Sequence, residues 1–378
     1  MKTLGEALNS RNNSVNAIRL AFAGSIIVLH AMALGGYVEE MPKLIFHETF
    51  GTYMLAGFFV ISGYMITASR LASRGFGDYL WRRLLRIYPA WIASFVLVAV
   101  VLGPLSLLIQ GRSLSSYDWG SAAGYVYKNL YFRLNQFDIT GTIEGIPFER
   151  IWNYSAWTLF YEFALWMCIG ILVLIAPKKL LNPGIIAGLV VFTAIKVFDK
   201  VTNDLSQFGT ANPGRSVGAI ESNFFTTLMF VLEPLARLGI FFFAGAVLYV
   251  YRDKVKISWL VFWIAVAISM VLGVIGWFHV FAALPWAYVI MHLGTSTRLS
   301  RVNYPNDYSY GTYIYAFPIT QVLALIALDH PMPGWLFCTL AVVVTAPLAW
   351  LSWHFLEKPA MSLKRLTAGK DKAIIGVP

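Results

Sequence analysis

The sequence predicts an all-α integral membrane protein, a bundle of about ten transmembrane helices with both termini in the cytoplasm. Three observations carry that expectation. The 378 residues are 58% hydrophobic and only 13% charged, with a mean hydropathy of +0.65, whereas soluble domains carry about 25% charged residues. Apolar stretches long enough to cross about 30 Å of hydrocarbon recur along the whole chain. The formal net charge of +10 is distributed as a membrane topology distributes it.

The apolar stretches fall at about 15–36, 51–68, 88–108, 154–176, 184–198, 223–251, 259–275, 278–293, 309–328 and 335–354. Ten crossings bring both ends of the chain to one side. With that side inside, nineteen Lys and Arg occupy inner segments and seven occupy outer ones, while Arg19, Lys196 and Arg237 lie within spans. That bias obeys the positive-inside rule and contradicts the reverse orientation. The basic surplus is therefore topological, and no nucleic-acid partner is expected. Residues 1–365 form one transmembrane domain, followed by a cytoplasmic tail at 366–378. Only the outer loops 109–153 and 199–222 are long enough to build caps. Cys168 and Cys338 both sit in apolar runs. They exclude a disulfide framework, lack metal-ligand spacing and read as small core residues. The first apolar stretch continues past Met32 without a small-residue cleavage site, so no cleavable signal peptide is expected.

In the first span, Arg19 and His30 are eleven residues apart. At about 100° per residue that is almost three turns, so both side chains share a face about 16 Å apart along the axis. Charged groups at the bilayer centre cost about 2.5–3.5 kcal/mol on insertion scales and so face protein or a wet cavity. The bland alternative is a histidine bonded to a carbonyl and an arginine reaching the inner headgroups. A histidine has an ordinary pKa of about 6.5 and suits proton transfer near neutrality. In the second span, Ser62-Gly63 allows close backbone approach and offers a hydroxyl, for helix packing or for a site.

The inner loop before the third span reads Leu80-Trp81-Arg82-Arg83-Leu84-Leu85-Arg86-Ile87-Tyr88-Pro89, with Arg70 and Arg74 ahead of it. Plain topology needs only positive charge. Five arginines and no lysine instead point to planar, bidentate recognition of phosphate. The fourth span opens on Trp157-Thr158-Leu159-Phe160-Tyr161-Glu162. A carboxylate in a span must be paired or protonated, so Glu162 is either a structural partner for Arg19, Arg237 or a Trp N–H, or an orienting or proton-handling group beside His30. The fifth span is short, with Lys196 expected to snorkel outward. The sixth is overlong and carries Glu233-Pro234 and Arg237, so it is expected to break or begin as a half-helix. The ninth opens on a strip containing Ser309, Tyr310, Tyr313, Tyr315 and Pro318. The tenth ends at Phe355-Leu356-Glu357-Lys358-Pro359.

Taken in order, these blocks resemble the membrane-bound acyltransferase 3 family, which modifies bacterial glycans. Its pattern opens with Arg, ten residues and His, here Arg19 and His30. A Phe-Val-Ile-Ser-Gly block follows at Phe59–Gly63, then Arg-x-x-Arg at Arg83 and Arg86 before Ile87 and Pro89. A Trp-Thr-Leu…Glu block at Trp157, Thr158, Leu159 and Glu162 is next, and the closing Glu-Lys-Pro is Glu357, Lys358 and Pro359. These five blocks, with the Ser309-Tyr310…Tyr313 strip of the ninth span as a sixth, follow the family's order over about residues 15–360. One departure stands out: where many members carry a histidine in the ninth span, this chain has Ala316, which concentrates attention on His30.

The resemblance implies a multi-pass bacterial plasma (inner) membrane O-acyltransferase. It would move acetyl from cytoplasmic acetyl-CoA to a hydroxyl of an extracytoplasmic or lipid-linked saccharide, with no metal. On that reading the catalytic residues are His30, Glu162 and Arg19. The donor is held by Arg82, Arg83, Arg86, Tyr88, Ser62, Tyr310 and Tyr313, and the acceptor by Trp152, Asn153 and Trp157. His30 acts as general base, with a transient acyl-histidine as the variant route. The rival class is a proton-coupled transporter or flippase of a glycan or lipid, because buried Arg, His and Glu also line ion paths. It expects paired broken helices in two halves.

Overall fold

A computed structural model describes residues 1–8, 12–38, 49–202, 224–302 and 304–366. Most of the outer loop 199–222, and the tail beyond Leu366, lie outside the described residues. Among those residues the architecture is helical, and the one β pairing is an isolated bridge between Thr3 and Lys256. In chain order the helices are α1 (Leu4–Leu8), α2 (Val15–Leu34), α3 (Phe50–Ala72), α4 (Phe76–Leu97), α5 (Gly103–Ile109), α6 (Trp119–Tyr127), α7 (Trp157–Ile175) and α8 (Leu181–Thr202). They continue with α9 (Phe224–Val250), α10 (Trp259–Val274), α11 (Phe278–Phe281), α12 (Ala283–Gly294), α13 (Ser309–Asp329), α14 (Gly334–Ser352) and α15 (Lys358–Ser362). Eight helical stretches are long and apolar enough to cross a membrane, and α10 and α12 are shorter apolar helices. Large apolar side chains such as Val190, Trp263 and Val343 are exposed. A bilayer tolerates such a surface because a helix pairs nearly all of its backbone polar groups internally.

Several segments differ from the sequence expectation. The arginine-rich inner loop is helix: α3 runs to Ala72 and α4 starts at Phe76, which leaves a connection of three residues. Three whole turns of α4 thus precede Pro89, and their arginines are placed by helical geometry. Helix α4 then passes through a π-helical turn, Val98–Leu102, into α5. The expected break at Pro234 is absent, for α9 is one helix of 27 residues with Pro234 inside it. A proline forfeits one backbone bond and need not stop a helix packed along its length. The eighth span is divided into α11 and α12.

Lys196 does not snorkel. It is buried, and its Nζ lies 2.7 Å from Asp199 Oδ2 and 2.6 Å from Glu233 Oε1. Two carboxylates within reach outweigh a run to the headgroups, because an unpaired carboxylate left among apolar helices costs more.

Helix α3 packs most extensively against α9. Two glycines allow it: a Cβ on Gly63 would overlap the Phe242 carbonyl oxygen, and one on Gly245 the Val60 carbonyl oxygen. Backbones meet where side chains are absent. The loop between α6 and α7 is pinned by its own polar groups. Asn129 accepts from the backbone of Asn135 and Gln136, and Trp91 Nε1 donates to the Asn129 carbonyl at 2.9 Å.

Candidate functional site

Helices α2 and α13 run parallel in matched register. Arg19 pairs with Asp307, just ahead of α13, and eleven residues later the His30 ring meets Phe317, with centroids 5.5 Å apart. The first contact marks one end of the bundle. The start of α4 arrives there too, because Arg86 bridges Asp307 and Glu357, the latter at 3.3 Å. The C-terminal residues complete this arginine end: Trp81 Nε1 donates to the Leu363 carbonyl at 3.3 Å.

A cavity of about 120 Å³ opens from these groups. One water needs roughly 10–15 Å³ of such space, so several waters fit. Its longest wall is α3, from Leu55 to Ile66, about 16 Å of helix. Arg19, Arg83, Arg86, Asp307, Trp353, Met361 and Lys364 line the arginine end, and Ser62, Thr158, Glu162, Tyr310 and Tyr313 line the walls.

The charges are arranged unequally. The Asp307 carboxylate is 3% exposed and takes both Arg19 and Arg86, while Ser309 Oγ donates to its other oxygen at 2.5 Å. Burial alone would raise this carboxyl. The two guanidiniums and the Ser309 hydrogen bonds override it and hold Asp307 well below the usual carboxylate range. Glu357 is fully buried; beyond Arg86 it accepts from Ser352 Oγ at 2.9 Å. Arg86 also lies over the Trp353 ring, 5.0 Å from its centroid. Arg83 is different. Among the described residues its only hydrogen bond is to Ser69 Oγ at 3.2 Å, its buried Nε finds no partner, and no carboxylate pairs with it. A guanidinium left short of acceptors at the mouth of a wet cavity suits an incoming anion.

Farther in, Glu162 accepts a hydrogen bond from Ser62 Oγ at 2.8 Å. Tyr313 donates to the Ser155 carbonyl at 2.6 Å and sits 2.7 Å from Thr158 Oγ1.

Of the residues singled out from the sequence, Arg19, Ser62, Arg83, Arg86, Glu162, Tyr310 and Tyr313 come together on this cavity. The others stand elsewhere. Arg82 turns to Asp78, with Nε 2.8 Å from Oδ1. Tyr88 packs on Phe132. Trp152 is fully buried in the loop, and its Nε1 donates to Thr142 Oγ1 at 2.8 Å. Asn153 Nδ2 donates to the Ile314 carbonyl at 3.0 Å. That carbonyl needs a donor because Pro318, four residues on, has no N–H. Trp157 faces Arg237. His30 is half-buried, lies one helical turn beyond the Tyr313 end of the cavity (about 6 Å) and makes no hydrogen bond among the described residues.

Asp307 and Lys364 were not anticipated. A signal for Asp307 existed: three guanidiniums in or beside apolar helices require counter-ions, and Asp307 stands two residues ahead of the tyrosine strip. Lys364 carries no such signal, since its place depends on how the chain turns after α14.

A multi-helix membrane bundle built around a cavity with apolar walls, a few polar groups and a basic mouth defines the class. The chain belongs to the acyltransferase 3 family, whose acyltransferase domain matches residues 12–354. It is similar to an O-acetyl transferase of Shigella phage Sf6, at 27% identity over 359 residues covering 92% of this chain and 96% of that protein. It is also similar to Nodulation protein 10 of Rhizobium leguminosarum bv. viciae, at 25% identity over 394 residues covering 95% and 96%. No solved structure matches it.

Proposed function

We propose that the protein is a membrane O-acyltransferase that moves acetyl from acetyl-CoA to a hydroxyl of a saccharide. The observation that carries this reading is the under-compensated Arg83 beside Arg86 and Arg19 at the mouth of a cavity lined by about 16 Å of α3, in a chain of an acyltransferase family. Its relative from phage Sf6 bears the name O-acetyl transferase.

On this reading the helices make ten crossings, with both termini and the arginine end in the cytoplasm. Phosphates of the donor dock on Arg83, Arg86 and Arg19, and the pantetheine arm, narrow and uncharged, follows α3 past Ser62 and Glu162. The acceptor comes from the opposite side. His30 removes the hydroxyl proton, the alkoxide attacks the thioester carbonyl, and the tetrahedral intermediate expels the thiolate, which takes the proton back from the imidazolium. On this reading the thioester passes the Tyr313 end of the cavity to meet the hydroxyl at His30, about one helical turn beyond. Glu162 is held by Ser62 and lines the path of the arm.

The test has two parts. Surface glycans from cells with and without the intact gene are compared by mass spectrometry, and the intact gene adds one acetyl mass; identical spectra remove the reading. Arg83→Ala with Arg86→Ala then raises the KM for acetyl-CoA more than that for the glycan, and the opposite ranking moves the donor site elsewhere. The transporter reading gains nothing from α9, whose candidate break at Pro234 is continuous helix.

A further inference from the structure

One buried charge cluster stands apart from the donor cavity, on the other flank of α7. Helix α7 turns Thr158, Leu159, Glu162 and Trp166 to the cavity. Trp157 and Tyr161 lie on a different face, one turn apart, with ring centroids at 5.5 Å. Arg237 of α9 lies over the Trp157 ring, 5.7 Å from its centroid.

The state of Arg237 is unusual. Its nearest carboxylate, Glu233 Oε1, is 3.8 Å from Nε, and that same oxygen is held by Lys196 at 2.6 Å. Lys196 is shared in turn with Asp199. Lysine thus takes most of the negative charge, and Arg237 is left with one long contact. It makes no hydrogen bond among the described residues, and its buried Nε has no hydrogen-bond partner. Yet its side chain is 17% exposed, so it remains open to a ligand. Five donors on a planar fork with nothing to donate to match a phosphate or a carboxylate.

The aromatic neighbours connect this arginine to the reaction centre. Tyr154 is 6.4 Å from Trp157, ring to ring. Tyr154 packs against the cluster of Leu34, Ile151 and Phe317, and Phe317 touches His30. A chain of contacts therefore runs from Arg237 through Trp157 and Tyr154 to the buried cluster that holds Phe317 against His30. Aromatic faces present flat apolar surface to a sugar ring, and the guanidinium at one end fixes its anionic group.

We infer that Arg237, with Trp157 and Tyr154, forms the acceptor subsite and takes a sugar bearing an anionic group, with the phosphate or carboxylate on Arg237 and a hydroxyl directed toward His30. This rests on the acyltransferase reading for its purpose, though not for its geometry. The buried Lys196–Asp199–Glu233 group is the frame that aims Arg237. That group carries one net negative charge, which Arg237 offsets through its long contact to Glu233, and the Glu233 oxygen facing Arg237 is already held by Lys196.

The test uses full-length protein in lipid nanodiscs and four probes: citronellyl phosphate-linked glucose, methyl glucuronide, methyl glucoside and phosphatidylglycerol. Wild type is expected to bind the phosphate-linked sugar or the glucuronide at least about tenfold tighter than the neutral glucoside, and Arg237→Gln to erase that preference. Which anionic probe wins separates a lipid-linked phosphosugar from an acidic sugar. Binding of coenzyme A at the arginine end serves as the folding control and stays at the wild-type value. If Arg237→Gln fails that control, Arg237→Lys keeps the charge without the fork and is expected to weaken the anionic probe several-fold. The inference is overturned if wild type binds neither anionic sugar, if the preference survives loss of the fork, or if phosphatidylglycerol competes as well as the sugar. Failure of wild type to bind coenzyme A sinks the donor reading instead and leaves this site to be judged on its own probes.

Discussion

Asp307 is the residue whose removal the geometry makes most costly. Its carboxylate ties Arg19 of α2 to Arg86 of α4, and taking away one member of a buried charge network costs about 3–5 kcal/mol. Asp307→Asn is therefore expected to lower the thermal midpoint in detergent sharply, and an unchanged midpoint removes the clamp. The pH dependence has a definite sign. Asp307 is held below the ordinary carboxylate range, so its contribution is complete above the unfolded pKa of about 3.9 and fades as pH falls toward the depressed folded value. The gap between wild type and Asp307→Asn should stay constant from neutral pH to about pH 4 and close only below it. His30 makes the opposite case. It touches Phe317 and forms no hydrogen bond among the described residues, so His30→Ala should leave stability nearly intact while transfer falls by about 10²–10⁴-fold. Undiminished turnover would remove it as the base.

Among the elements, the α3–α9 pair is the most constrained. Ser62-Gly63 was legible as a place of close approach, and the structure names what approaches: the backbone of Phe242. Because a methyl there meets a carbonyl on a packed helix and not a movable side chain, Gly63→Ala should cost about 3 kcal/mol or more by overpacking. It should also displace Ser62, and with it the hydrogen bond to Glu162. Reduced yield of folded protein together with loss of activity is the expected result; wild-type melting would contradict the close approach. The helices themselves could be read from hydropathy because spanning length is a one-dimensional property. What hydropathy could not give is which charged residues find each other. Lys196 read as a snorkeller because its partners, Asp199 and Glu233, lie on its own helix and on α9. The arginine-rich segment read as a loop because charge lowers its hydropathy, although its spacing was already helical. Asn153 read as a ligand-binding residue because the missing N–H of Pro318, far along the chain, is invisible from its own neighbourhood.

At the scale of the whole molecule the decisive quantity is the asymmetry of charge. Arg19, Arg83, Arg86 and Lys364 collect at one end of a single cavity, and the Lys and Arg surplus of the connecting segments lies at that same end on the ten-crossing reading. The orientation of the protein and the side from which an anionic donor enters are thus one question. It can be settled without any activity measurement. With Cys168 and Cys338 replaced by alanine, Ser115→Cys samples the loop end and Lys254→Cys the opposite end; both positions are exposed. A membrane-impermeant maleimide added to intact spheroplasts should label Ser115→Cys at once and reach Lys254→Cys only after permeabilisation. The reverse pattern would place the guanidinium cluster outside the cell, where coenzyme A is not supplied, and Arg83 would then await an extracellular anion instead of a cytoplasmic thioester.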